Sequence, residues 1–256
     1  MKSVSGLILG LLVLVGAVAA AGARAEDAPT SCEVPDYLLA SESALSRVED
    51  AVKNRHTLDI LVVGSRSSTI SPSSNSSESA AYPARLQAVL KEKLPAVTVN
   101  LSVDIEAKKT AEEVTAALSK LMEGKKPTLV IWQTGTVDAV RSIDPDDFRT
   151  ALDEGVVALQ EAGTDVILIN PQYSPRTETM ISMPPYLDNM RVVAQQHEVP
   201  LFDRFGIMRY WAESGEFDLF SAFHGVELAK RVHNCIGLAL SQFVLDAAHL
   251  IPPQQN

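Results

Sequence analysis

The chain of 256 residues is 46% hydrophobic, 21% charged and 5% aromatic, which is ample material for one or two packed domains and excludes disorder and repeat arrays. With 22 Lys and Arg against 32 Asp and Glu the formal charge is −10, so the electrostatic footprint of a nucleic-acid or anionic-lipid binder is missing.

Met1-Lys2 is a short basic start, Gly6 to Ala20 is an apolar run of the length of a signal h-region, and Ala23-Arg24-Ala25 is an A-x-A cleavage signal before Glu26. Residues 1–25 read as a secretory signal peptide. The run falls short of the roughly 20 residues of a spanning helix, which leaves an uncleaved anchor as the other reading. Cleavage would remove Lys2 and Arg24 and leave a still more acidic, exported protein, periplasmic or secreted, with no stable membrane insertion. In such an oxidising compartment Cys32 and Cys235 are expected to pair, pinning the N-terminal arm (residues 26–57) to the last helix. Two buried free thiols are the alternative. No histidine stands at metal-ligand spacing from them, so neither a metal nor any other cofactor is expected.

From residue 58 to 250 apolar runs alternate with helical patterns, the signature of βαβ units and a parallel sheet. Strands are expected at Asp59–Gly64, Val97–Leu101, Thr128–Gln133, Asp165–Asn170 and Pro200–Asp203, with helices at Ala81–Lys93, Ala111–Met122, Pro145–Glu161 and Pro185–His197. Around the third helix Asp144 is a cap, Pro145 suits the first position, Asp146 and Asp147 complement the dipole, and Gly163 ends it. Leu228, Val232, Cys235, Ile236, Ala239, Leu240 and Phe243 make a 3.6-period stripe on a C-terminal helix, with Cys235 on its buried side. Two long loops, Ser65–Ser79 and Pro171–Pro185, follow the ends of the first and fourth strands, where open parallel sheets place their ligands.

The strand ending at Gly64 and running into Gly64-Ser65-Arg66-Ser67-Ser68-Thr69 resembles the first block of the SGNH (GDSL-type) serine hydrolases, in particular their exported bacterial members. Tyr82-Pro83-Ala84-Arg85-Leu86, Leu129 to Thr136, Asn170-Pro171-Gln172-Tyr173 and Pro200 to Trp211 extend the likeness in the right order over about Cys32 to Phe243. The resemblance implies a three-layer α/β/α sandwich on a mainly parallel five-stranded sheet, SGNH-hydrolase or flavodoxin-like. It also implies a serine nucleophile, a histidine base held by an aspartate three residues before it, and an oxyanion hole of serine amide, glycine amide and asparagine side chain.

This sequence departs from that set. The nucleophile position two residues after the glycine is Arg66, and Ser67 takes its place only if one residue has been inserted. The second block offers Ser102 or Asp104 instead of glycine, and Gly135-Thr136 is followed by Val137 instead of asparagine, with Asp138 beside it to repel an oxyanion. In the last block one register makes His224 the base with Ser221 behind it; the other, which matches Cys235 and Gly225, puts His224 at the aspartate and Glu227 at the histidine. Ser67 and His224 are therefore the catalytic candidates, and Arg66, Gly135, Thr136 and Gln172 the ligand-binding ones. The Arg66 guanidinium suits a carboxylate, sulfate or uronate, or else a salt bridge to Asp104. His56, His197, His233 and His249 read as structural or exposed. Two functions stand: an exported hydrolase-like protein that has lost its catalytic set and binds an envelope glycan, lipid or protein, or an esterase removing acyl groups such as acetyl from a polysaccharide or small ester.

Overall fold

Five runs rich in Val, Ile and Leu become strands in the computed structural model, which describes residues 31–70, 80–220 and 225–250. They are β1 (Thr57–Gly64), β2 (Thr98–Ile105), β3 (Leu129–Gln133), β4 (Asp165–Ile169) and β5 (Leu201–Phe202). Every neighbouring pair is parallel, in the order β2-β1-β3-β4-β5. β1, β3 and β4 are buried almost throughout because helices cover both faces, so no polar alternation is selected. The signal-peptide reading falls on residues outside the described ones.

The connecting helices are α1 (Tyr82–Lys93), α2 (Ala111–Met122), α3 (Thr136–Arg141), α4 (Pro145–Glu161), α5 (Pro184–Gln196), α6 (Arg204–Glu213) and α7 (Gly225–Ala247). Successive β1 side chains point to opposite faces. Leu58, Ile60 and Val62 meet Leu86 of α1, Ile207 and Trp211 of α6, and Ile236, Leu240 and Phe243 of α7. Leu61 and Val63 meet Val114 of α2, Leu152 and Val156 of α4, and Met190 of α5. The result is a three-layer α/β/α sandwich on a five-stranded parallel sheet. The stop signals act as the sequence suggests: Asp144 accepts from the Asp146 amide at 2.9 Å, and Gly163 leaves α4 at φ +81°. α2 begins with a reciprocal cap between Thr110 and Glu113.

Two local expectations are corrected, and the expected Cys32–Cys235 disulfide is present. β2 runs on to Ile105 because pairing with β1 continues to Gly64, which places Ser102 and Asp104 inside a strand. α3 and α6 are helices that periodicity did not mark; α6 starts where Asp203 accepts from the Gly206 amide at 2.9 Å. The segment before β1 is joined to the sandwich: Leu45 and Val48 are buried, Asp165 accepts from the Arg47 and Val48 amides at 2.9 and 3.0 Å, and a disulfide links Cys32 to Cys235 of α7.

The chain leaves β1 toward β2 on one side and comes back to β3 on the other. The C-terminal ends of β1 and β3 therefore meet at the switch point of the sheet.

Candidate functional site

At that switch point β1 ends on Gly64, where a Cβ would collide with the Ser68 hydroxyl. Glycine lets the chain fold back at once into a short 3-10 turn, Arg66–Ser68. The turn aims its serines at Gln133, the last residue of β3. Gln133 Nε2 donates to Ser65 Oγ at 2.9 Å and to Ser67 Oγ at 2.6 Å, while its Oε1 accepts from Ser68 Oγ at 2.7 Å. Arg204 Nη1 donates to the same Oε1 at 2.8 Å, which orients the amide, since two donors cannot face one another.

Arg204 opens α6 and is 1% exposed. Its Nη1 reaches Ser67 Oγ at 3.5 Å, and its Nη2 donates to the Ser67 carbonyl at 3.1 Å and Gln172 Oε1 at 3.2 Å. The guanidinium lies 5.6 Å from the centre of the Tyr82 ring, and Nε has no partner. None of these contacts is a carboxylate. Burial pulls the guanidinium down to about 10, so it stays charged at neutral pH. Neutral oxygens and an aromatic face hold a buried cation that an acid would ordinarily accompany.

His233 of α7 stacks on Tyr82 at 5.8 Å, and its Nδ1 accepts from the Tyr82 amide at 3.1 Å. An accepting Nδ1 assigns the neutral ring its hydrogen on Nε2, so neither nitrogen is free to take a proton from a serine. Burial, and then the charge of Arg204, pull its pKa from 6.5 to about 3. The unfolded chain binds this proton below about pH 6.5 and the folded chain does not. Its contribution to stability is thus complete above pH 6.5 and lost as pH falls toward 3. We expect denaturant titrations to show a loss of up to about 1.4 kcal/mol per pH unit in that window, and His233→Gln, which keeps an acceptor for the Tyr82 amide, to flatten it. An unchanged slope in the variant would refute the assignment.

Together the Arg66–Ser68 turn, the start of α3, the loop after β4 and α7 line an open cleft of about 570 Å³. It brings together Arg66, Ser67, Thr136 and Gln172 from the sequence-derived set. Gly135 stands apart from it: at φ +90° it turns the chain into α3 and lines a neighbouring crevice. Val137 lines the cleft with no group that can donate. Asp138 is 1% exposed and turned into the fold, with Oδ1 accepting from the Ala111 amide at 2.8 Å; burial raises its pKa. It lines the crevice and not the cleft, which corrects the expectation of a carboxylate set against an oxyanion. Arg66 is exposed, and no ion pair joins it to Asp104 among the described residues. His224 and Ser221 lie outside the described residues. Glu227, the histidine position of the second register, is exposed and pairs with Lys230 at 2.8 Å.

Sequence reasoning missed Lys108, Arg204 and His233 as neighbours of this cleft. Arg204 carried one signal: a cation at the first position of a helix sits against the dipole, so something other than helix stability places it there. His197 also has a partner unseen in sequence, Asp153 at 2.7 Å, 44 residues away.

Among solved structures the chain is similar to a lipase/acylhydrolase from Enterococcus faecalis, with 18% identity and a TM-score of 0.58 over 78% of this chain and 100% of that one. It is similar also to an acetylxylan esterase from Geobacillus stearothermophilus, with 15% identity and a TM-score of 0.58 over 74% and 94% of the two chains. A third is the psychrotrophic esterase EstA from Pseudoalteromonas sp., with 17% identity and a TM-score of 0.55 over 74% and 98%. At these identities the likeness is one of fold. No curated protein matches the sequence. Residues 31–250 match the Non-GDSL lipase-like family, and with that match over nearly all of the described chain the protein belongs to this family of SGNH/GDSL-type hydrolase folds.

Proposed function

We propose that this protein is an exported, hydrolase-like binding protein whose cleft has kept the place of an esterase site and lost its chemistry. One observation carries the reading. Among the described residues, every group that touches Ser67 Oγ except the Ser65 hydroxyl is a donor: Gln133 Nε2 at 2.6 Å and Arg204 Nη1 at 3.5 Å. A nucleophile needs an acceptor for its proton. Two donors fill the hydroxyl's lone pairs, and Ser65 Oγ, at 3.1 Å, is too weak a base to take the proton away. The described histidine of the cleft, His233, has its Nδ1 committed to the Tyr82 amide. Val137, where the resemblance implies an asparagine donor, removes one oxyanion contact, a loss of about 2.7–4 kcal/mol in transition-state stabilisation. The cleft then serves to bind an envelope glycan, lipid or protein. Export rests on the basic, apolar and A-x-A pattern of residues 1–25, and the Cys32–Cys235 bond suits an oxidising compartment.

The test is turnover of short-chain nitrophenyl esters and acetylated sugars by the mature protein beside Ser67→Ala and His224→Ala. The expected result is no turnover above the uncatalysed rate, or weak turnover equal in all three proteins. Turnover abolished by both substitutions would establish the esterase instead.

A further inference from the structure

In a chain of formal charge −10, the described residues lining the cleft include Arg66, Lys108 and Arg141 and no Asp or Glu. Glu113 neutralises Arg141 at 3.1 Å, and Glu106 is taken by Lys109 at 2.6 Å. Arg66 and Lys108 are exposed, and neither has an ion pair among the described residues. The sheet sets these two side by side. Gly64 and Ile105 are the last partners of β1 and β2, and the chain arrives at Arg66 and Lys108 within three residues of that pair. Lys108 also holds φ +68°, a left-handed backbone that is strained for any residue with a Cβ. Strain of this kind gathers where ligands are clamped.

Six further lining side chains are polar without charge: Ser65, Ser67, Thr69, Thr136, Gln172 and His233. Several of them are left with hydrogens to give. Gln133 Nε2 donates to the Ser65 and Ser67 hydroxyls, which stand 3.1 Å apart. Whichever of the two donates to the other, one hydroxyl hydrogen remains without an acceptor among the described residues. Gln172 accepts from Arg204 through Oε1, and its Nε2 has no acceptor among the described residues. The four apolar lining residues, Ile70, Val137, Val140 and Ala229, include no aromatic ring to stack on. A cleft of spare donors and two unneutralised cations is complementary to a ligand rich in acceptors and carrying more than one negative charge.

Resting on the reading of the cleft as a binding site, we infer that its ligand is a phosphate monoester of a small hydroxylated carrier, of the size of a sugar phosphate. Such a group carries about −1.5 to −2 charges at pH 7 on three strong acceptor oxygens, which matches two unneutralised cations. A carboxylate carries one charge on two oxygens and leaves one cation over. Arg66 holds two of the phosphate oxygens with its fork, and Lys108 meets the third as a point charge. The carrier's hydroxyls accept the spare hydrogens of the Ser65–Ser67 pair and of Gln172. The cleft's volume of about 570 Å³ lies within the range of small-ligand sites. With no stacking surface, charge supplies most of the affinity, so binding falls with salt.

The test uses glucose 6-phosphate as the probe, with glucose, glucuronate and inorganic phosphate as controls that lack the charge, the second charge and the carrier in turn. Calorimetric titrations compare the mature protein with Arg66→Gln/Lys108→Gln and with Lys91→Gln/Lys93→Gln, which removes two exposed cations at the end of α1. Thermal melts check that both variants are folded. Glucose 6-phosphate is expected to bind the unaltered protein and the α1 variant alike, and about tenfold or more weakly the Arg66/Lys108 variant and any high-salt sample. Each control is expected to bind about tenfold or more weakly than the probe. No binding of the probe, or an equal loss in both variants, would overturn the inference. Glucuronate binding as tightly as the probe would overturn the doubly charged group, and inorganic phosphate doing so would overturn the carrier. The same samples are assayed on nitrophenyl acetate. Turnover that depends on Ser67, with the probe still bound, would remove the proposed loss of catalysis and leave this site standing, whereas no turnover and no binding would remove this site alone.

Discussion

Arg204→Met is expected to destabilise the protein by about 3 kcal/mol, lowering the melting temperature by roughly 6–12 °C. Methionine fills much of the space but leaves Gln133 Oε1 short of one donor and Gln172 Oε1 and the Ser67 carbonyl with none from this side. Each is a buried or half-buried acceptor, and orphaning it costs more than the bond itself contributes. The Tyr82 ring loses its cation as well. Opposing this is the desolvation of a fully buried guanidinium, visible in a pKa pulled down to about 10. The bonds are expected to win because four oxygen contacts from three residues share one rigid planar group. Arg204→Lys should fail to restore stability, since one ammonium cannot span Gln133, Gln172 and Ser67 at once. Thermal unfolding followed by circular dichroism decides it: a Met variant as stable as the parent would show that desolvation cancels the whole network.

Opening the Cys32–Cys235 bond should cost about 3–5 kcal/mol and lower the melting temperature by roughly 10 °C. The bond spans 203 residues, nearly the whole described chain, so its loss frees the largest loop this fold can form. Its effect is focused on the N-terminal segment, which otherwise rests on Leu45 and Val48, the Asp165 cap and a bond from Trp211 Nε1 to the Glu33 carbonyl at 2.8 Å. The measurement compares the oxidised protein with a Cys32→Ser/Cys235→Ala double variant, which avoids leaving one reactive thiol. Equal melting temperatures would contradict a stabilising role and assign the segment's docking to packing alone.

The Cys32–Cys235 pair, 203 residues apart, is legible because the chain has two cysteines and an export pattern, and the apolar stripe of α7 and the caps of α4 because each depends on residue type at short spacing. Strands β1, β3 and β4 read as continuous apolar runs for the same reason: double-sided burial leaves no alternation to misread. The extension of β2 depends on its neighbour, and nothing in Ser102-Val103-Asp104 announces that pairing with β1 will continue. The site divides likewise. Ser67, Thr136 and Gln172, candidates by the likeness of their segments to the family's blocks, follow strand ends, and the fold brings all three to one cleft. Arg204 and His233 were not candidates, because their partners are 71 and 151 residues away in sequence and come together only through the order of the sheet. A buried arginine without an acid is a feature no composition or spacing rule anticipates.

A Ser67 without a base, as proposed, is tested by covalent trapping without knowledge of any substrate. A fluorophosphonate couples to a serine whose hydroxyl a neighbouring acceptor deprotonates, and leaves an ordinary serine untouched. Prolonged incubation of the mature protein followed by intact-mass and peptide analysis is predicted to return the unmodified mass, with the Ser67 peptide unlabelled. A stoichiometric adduct on Ser67 would contradict the account and make this cleft an active site.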